Sequence, residues 1–215
     1  MASLFNFQAP ALPLPGRDYD DRQQLEVLRA LRLYFNRLDK DLTTLANPLG
    51  EANLNRPTAL YFSTVDQTAA VINTAYAISF ENTYFQNGMT INGGSSTQIT
   101  VDRAGIYNFQ FSGQLLSTNS SSKTAQIWIR RDGTDIGYSA HAYTDNQNNG
   151  YLEVNWNFNI DLDADGYIEI MWATTDTGLK FDTVAPSAPY PGIPSAVMAV
   201  NFVSNLDGFT IAAAP

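Results

Sequence analysis

Between residues 151 and 162 every second side chain is apolar and every one between is polar. Leu152, Val154, Trp156, Phe158, Ile160 and Leu162 alternate with Glu153, Asn155, Asn157, Asn159 and Asp161. Only a strand with one face buried and one face wet uses such a period. The theme recurs at residues 106–112, with Tyr107, Phe109 and Phe111 against Asn108, Gln110 and Ser112. Ala125, Ile127 and Ile129 run into Asp132-Gly133, a strong hairpin signal. Ile168, Ile170 and Trp172 form a further strand after the turn at Asp165-Gly166. The stretch 197–203 is apolar at almost every position, as for a strand covered on both faces. Weaker strands are expected at 59–65, 71–80, 89–101 and 135–143. Eight to ten antiparallel strands with short turns predict a β-sandwich or jelly roll over residues 59–204. No internal repeat of fixed period is present.

Upstream the period changes. Leu28, Leu31, Phe35, Leu38, Leu42 and Leu45 fall at alternating steps of three and four. These are the a and d positions of a heptad, and they predict a helix over 20–47. Asp20 or Asp21 can cap its start, and Asn47-Pro48-Leu49-Gly50 ends it. About 2.5 heptads is short for a free coiled coil, because nucleating a helix is costly. Leu25, Val27, Leu33 and Tyr34 widen the apolar face beyond a dimer seam. That width suits three strands, or docking of the helix on its own domain. Residues 1–19 form an arm in which Pro10, Pro13 and Pro15 exclude helix. Its Leu4, Phe5, Phe7, Leu12 and Leu14 have no local periodicity to bury them, and fit an extended anchor in a groove of another protein. Residues 48–58 read as a linker and 205–215 as a tail.

Composition excludes several roles. A net charge of −9 with only three lysines repels a phosphate backbone, so nucleic acid is not an expected partner. No polybasic cluster addresses an anionic membrane, and no apolar run approaches the roughly 20 residues of a membrane span. The amino-terminal residues lack the basic and apolar regions of a signal peptide, so synthesis in a cytoplasm is expected. The chain has no cysteine, hence no disulfide or thiolate site.

Catalytic chemistry is sparse, and no enzymatic activity is expected. The single histidine, His141, lies two residues from Ser139 with no orienting acid in view. Glu153 and Asp161 share a strand face but stand about 26 Å apart at the standard rise, too far for paired glycosidic carboxylates. Asp161, Asp163 and Asp165 mimic the opening of a calcium loop, but Trp172 stands where its closing Glu belongs. No cofactor is expected, and calcium at that turn is the only metal considered. Binding candidates sit in the loops: Tyr143 beside Asn146, Gln147 and Asn148, and Tyr190 among Pro186, Pro189, Pro191 and Pro194. Amides plus a proline-stiffened Tyr suit a glycan. Asn119-Ser120-Ser121 has the form of a glycosylation sequon.

Two resemblances follow. Ala104-Gly105-Ile106-Tyr107-Asn108-Phe109, Leu162-Asp163-Ala164-Asp165-Gly166-Tyr167-Ile168 and Ala199-Val200-Asn201-Phe202-Val203 resemble strand motifs of the jelly-roll heads of tumour necrosis factor and complement globular proteins. The resemblance spans roughly 59–204 and implies a homotrimer around a threefold axis. If Asn108, Gln110, Asn155, Asn157 and Asn159 face that axis, its centre is amide-lined. Arg17-Asp18-Tyr19-Asp20 and the helix from Leu33 to Asp39 resemble the leader of small virion proteins of tailed bacteriophages. This implies attachment to a particle, with tail or capsid proteins as partners. The sequence-based expectation is a non-enzymatic trimeric knob, anchored by its arm, that presents a β-head to a host-surface glycan at the tail. Capsid decoration and a free lectin-like binder are the alternatives.

Overall fold

The computed structural model describes residues 21–46 and 56–206, apart from 93 and 95, in two units divided between Asn55 and Arg56. The helix α1 spans Asp21–Ala46. Asp21 in its first turn favours the positive end of the helix macrodipole. Leu28, Phe35 and Leu42, seven residues apart, are 60%, 58% and 52% exposed. Leu31 and Leu38 are half-buried. The side chain of Leu45, Asp20, and the anchor residues Leu4, Phe5, Phe7, Leu12 and Leu14 lie outside the described residues.

The second unit is antiparallel throughout. Its strands are β1 (Thr58–Ser63), β2 (Gln67–Thr68), β3 (Tyr76–Ala77), β4 (Asn82–Asn87), β5 (Met89–Ile91), β6 (Ile99–Val101) and β7 (Gly105–Ser117). They continue with β8 (Lys123–Arg131), β9 (Thr134–Asp135), β10 (His141–Asp145), β11 (Gly150–Leu162), β12 (Tyr167–Thr174), β13 (Leu179–Phe181) and β14 (Ala196–Ser204). One sheet carries β4-β1-β14-β7-β11, and the other β10-β8-β12-β6-β5. Take the eight strands β1, β6, β7, β8, β10, β11, β12 and β14 in chain order. The first sheet then reads 1-8-3-6 and the second 2-7-4-5, which is a jelly roll.

Alternation explains the packing. Tyr107, Phe109, Phe111 and Leu115 of β7 point inward with at most 2% exposure. They meet Ala125, Ile127 and Ile129 of β8 and Ile168, Ile170 and Trp172 of β12, all buried. Edge-to-face aromatic pairs fill the middle, with Trp172–Phe181 centroids at 5.1 Å and Tyr107–Phe202 at 5.4 Å. The Tyr107 hydroxyl donates to the Arg103 carbonyl at 2.7 Å, and burial pushes its pKa up to about 12, so it stays a donor. Gly113 leaves room for the Phe181 ring: a Cβ there would stand 2.6 Å from Phe181 Cε1. Replacing Gly113 with Ala is expected to lower stability by about 1–3 kcal/mol through overpacking, measured by urea unfolding.

Several expectations need correction. β14 is buried on one face only: Val203 is 48% exposed, while Val197 and Ala199 are half-buried. The strand buried on both faces is β12, where Glu169 accepts the Thr97 hydroxyl at 2.7 Å. The 89–101 strand is two, β5 and β6, paired across a polar turn. The 71–80 strand shrinks to β3, because Val71 and Ile72 stay 57% and 47% exposed in a turn. The 135–143 strand divides into β9 and β10, broken by Tyr138 at φ 59°. The Asp132-Gly133 turn forms as expected, with φ values of 47° and 80° joining β8 to β9.

Candidate functional site

Strand register gives the head a root and a tip. Thr58, Asn201, Asn108 and Asn159 stand side by side across the first sheet at the end where the chain enters it. Ser63 and Ala196, and beyond them Ser117 and Gly150, mark the opposite end. The nine residue steps from Asn108 to Ser117 on β7, and from Asn159 to Gly150 on β11, set the separation at about 30 Å. The loops 118–122, 146–149, 175–178 and 182–195 all lie at the tip, far from Thr58.

The tip is organised by two cations. Lys123 begins β8 in phase with Ala125, Ile127 and Ile129, so it points into the sandwich and is fully buried. Its ammonium donates to Ser117 Oγ at 2.6 Å, to the Ser121 carbonyl at 2.9 Å and to the Asn119 carbonyl. Ser117 Oγ in turn donates to the Gln147 carbonyl at 2.5 Å, so one lysine joins two loops. Asp176 ties in the third loop through Ser121 Oγ at 2.7 Å and the Gly178 amide at 2.7 Å. The Gly178 amide, then the Ser121 hydroxyl, hold the Asp176 carboxyl below the usual range. The sequon amide of Asn119 is spent on Asp176 at 3.3 Å.

Lys180 is the second cation. It bridges Asp66 at 2.5 Å and Asp182 at 2.6 Å. Asp182 also accepts the Tyr151 hydroxyl at 3.0 Å, and Asp66 accepts the Thr183 amide at 2.9 Å. From this base the segment 183–194 rises as a small two-stranded finger, bridged at Val184 to Ile193 and at Ser187 to Tyr190. Tyr190, at its turn, is 73% exposed. A groove of about 320 Å3 lies beside the finger, lined by Ser112, Gln114, Tyr151, Glu153, Ile193 and Pro194 among others.

The hydrogen bond from Lys180, then that from the Thr183 amide, depress the Asp66 pKa. A depressed carboxylate stabilises the fold above its unfolded pKa of about 4, and that contribution is lost as pH falls through the lower folded value. Lys180 is raised, first by Asp182, so its own contribution holds throughout acid and fades only above its folded pKa in alkali. Amide exchange protection in residues 183–193 is therefore expected to fall below pH 4 before the core strands lose theirs, measured by hydrogen exchange against pH.

The sequence-derived binding residues separate. Asn146, Gln147 and Asn148 are exposed on the 146–149 loop, held by the Gln147 amide donating to Asp145 Oδ1 at 3.0 Å. Tyr190 stands on the finger at the same end. Tyr143 faces between the sheets, opposite buried Ala125, where burial raises its pKa. Sequence reasoning missed Lys123, Lys180, Asp66 and Asp182. The signal for Lys123 was present, since it occupies a core-facing phase of β8.

His141 packs on Trp156 with centroids 4.7 Å apart. Ser139 is occupied by backbone, donating to the Ile136 carbonyl at 2.8 Å and accepting the Ile129 amide at 3.2 Å. Asp161 binds Arg131 at 2.9 Å, and Asp161, Asp163 and Asp165 do not converge into a metal-binding group among the described residues. Glu153 and Asp161 keep their eight-residue separation along an unbroken register.

No protein-family model matches the chain, and no curated protein does. Among solved structures it is similar to the globular domain of a zebrafish complement 1qA protein. Identity is 12% over 69% of this chain and 98% of that one, with a TM-score of 0.44. The strand order above carries the jelly-roll assignment without help from this likeness.

Proposed function

We propose that the chain is a non-enzymatic homotrimeric knob of a bacteriophage tail, anchored through its amino-terminal arm and turning its tip loops to a host-surface glycan. The observation that carries the trimer is the heptad row Leu28, Phe35 and Leu42, each more than half exposed in the single chain. The outer face of the first sheet supports it. Three rows cross four strands there: Thr58-Asn201-Asn108-Asn159, Leu60-Ala199-Gln110-Asn157 and Phe62-Val197-Ser112-Asn155. None of these residues is charged, on a chain of net charge −9. Like-charged copies meet most cheaply through an uncharged face. Four of its amides are already engaged with one another: Asn108 Nδ2 donates to Asn157 Oδ1 at 2.6 Å and Asn159 Oδ1 at 2.9 Å, and Gln110 donates to Asn108 at 3.0 Å. Such a face is covered at lower desolvation cost than one of unpaired amides.

The root-to-tip polarity supports presentation. The chain enters at the root, and the amide loop and the Tyr190 finger lie at the tip. Three tips on one stalk raise avidity for a weakly bound glycan. The virion placement rests on the resemblance of the first 40 residues to phage leader segments. Immunogold microscopy of intact particles, with an antibody to the head, tests it. Gold at the tail supports the reading, gold spread over the shell makes this a capsid decoration protein, and particles lacking the chain make it a free binder.

A further inference from the structure

We propose that the groove beside the finger seats a neutral hexose unit, with Tyr151 and Ile193 as apolar walls and Ser112, Gln114 and Glu153 as hydrogen-bonding partners. It rests on the glycan reading above, to which it adds a site and a class of sugar. The outer face of the first sheet changes character along its length. Toward the root its amides bond to one another, as Asn108 does to Asn157 and Asn159. At the tip the polar groups are also spent. The Tyr151 hydroxyl donates to Asp182 Oδ2 at 3.0 Å, Lys180 holds the other oxygen of that carboxylate at 2.6 Å, and Asp66 accepts from Lys180 and from the Thr183 amide. Between these two sets lie groups that are not spent. Among the described residues the Ser112 hydroxyl, Gln114 Oε1 and the Glu153 carboxylate have no hydrogen bond or ion pair. All three residues line one groove of about 320 Å3, at the small end of ligand sites.

The topology gives that groove a floor and two sides. β7 is the floor, and Gln114 on it stands opposite Glu153 of β11. On the other side of β7 the finger leads from β13 to β14, both of which pair with β7. Tyr151 on β11 is 56% exposed, and its tether to Asp182 fixes the ring, so little freedom is lost when a ligand lies against it. Ile193 of the finger is 45% exposed and is held by paired backbone bonds with Val184 at 2.8 and 2.9 Å. A hexose ring has an apolar C–H face and a rim of hydroxyls, so apolar walls with unspent acceptors between them match it. Charge selects among sugars. Glu153 is the first charged residue on β11 tipward of the three uncharged rows, and Lys180 is already shared by Asp66 and Asp182. Carboxylates thus outnumber the one ammonium, which disfavours a sialic or uronic acid, whereas a free carboxylate accepts strongly from neighbouring sugar hydroxyls.

Amide NMR spectra of the full-length chain, titrated with the methyl glycosides of glucose, galactose and mannose, test the site. Shifts centred on Ser112, Gln114, Tyr151 and Glu153 are expected with at least one glycoside, at a Kd on the order of 1 mM, and N-acetylneuraminic acid is expected to leave these amides unmoved. Glu153→Gln, at an exposed position, is expected to weaken the binding at least about tenfold with melting unchanged, the size of one hydrogen bond to a charged group. Tyr190→Ala is expected to leave it unaltered. Shifts centred on Tyr190 and residues 146–148 overturn this site and leave the glycan reading in place. Equal binding of N-acetylneuraminic acid in the groove overturns the choice of a neutral sugar. Absence of shifts with every glycoside also overturns the site, and a glycan array probed with the same chain then separates the cases: capture by longer glycans keeps the glycan reading, and no capture removes both.

Discussion

Replacing Lys123 with Met is expected to lower the stability of the head by about 3–5 kcal/mol, the cost typical of stripping a buried charged group from its partners. The methionine keeps most of the aliphatic stem, so the change isolates the ammonium. Two backbone carbonyls, of Asn119 and Ser121, and the Ser117 hydroxyl converge on that one donor in a fully buried position. Each buried acceptor left without its donor costs about 1–3 kcal/mol. The loss should lower the melting temperature by roughly 10 °C in a domain of this size. Lys180→Met is the comparison. Its side chain is 22% exposed and Asp66 is 40% exposed, so water compensates there, but Asp182 is only 8% exposed; a loss of about 1–3 kcal/mol, smaller than for Lys123, is expected. Urea unfolding of both variants decides the matter. A Lys123→Met loss no larger than that of Lys180→Met would mean that the loops 118–122 and 146–149 do not depend on this cation.

The same lysine shows what a sequence can and cannot disclose. β7, β11, β8 and β12 were legible because one face of each is buried and period-two alternation is a direct image of that. α1 was legible from its apolar period of 3.5, although Leu28, Phe35 and Leu42 are more than half exposed in the single chain. β4 was not, since Tyr84 and Phe85 are 75% and 46% exposed and no covered face imposes a pattern on residues 82–87. β14 misled in the opposite direction. Its outward Val197, Ala199 and Val203 were read as evidence of a second cover, and within one chain the cover is absent among the described residues. At the tip, the exposed amides and Tyr190 were legible as loop chemistry. The network beneath them was not, because Asp66, Tyr151, Lys180 and Asp182 are brought together only by the pairing of β13 with β2 and β7.

Substituting Leu28, Phe35 and Leu42 together with Ser is expected to reduce the particle seen by light scattering from three times the 23.7 kDa chain mass to one. In a trimeric seam each of these positions forms a layer of three side chains, and each buried side chain contributes about 1.5–3 kcal/mol. Serine at the same places removes that gain while leaving a surface compatible with water. The helix is only 26 residues long, so a seam built on it would be too short to be secure alone, because the ordering cost of three helices is met by few layers. The head face must then share the work, and tethering couples the two: once the helices join, the three sheet faces are held at high local concentration. Val197→Glu, which places a like charge in the uncharged row Phe62-Val197-Ser112-Asn155, therefore weakens the trimer without touching the helix. The two variants separate the contributions. If the triple Ser chain remains trimeric while Val197→Glu dissociates it, the heads carry the assembly and α1 is a spacer. If the first gives monomers and the second leaves the trimer intact, the sheet face is free for another partner. Loss of the trimer in both is the expected result, because neither a short helical seam nor an amide-rich face closes the assembly by itself.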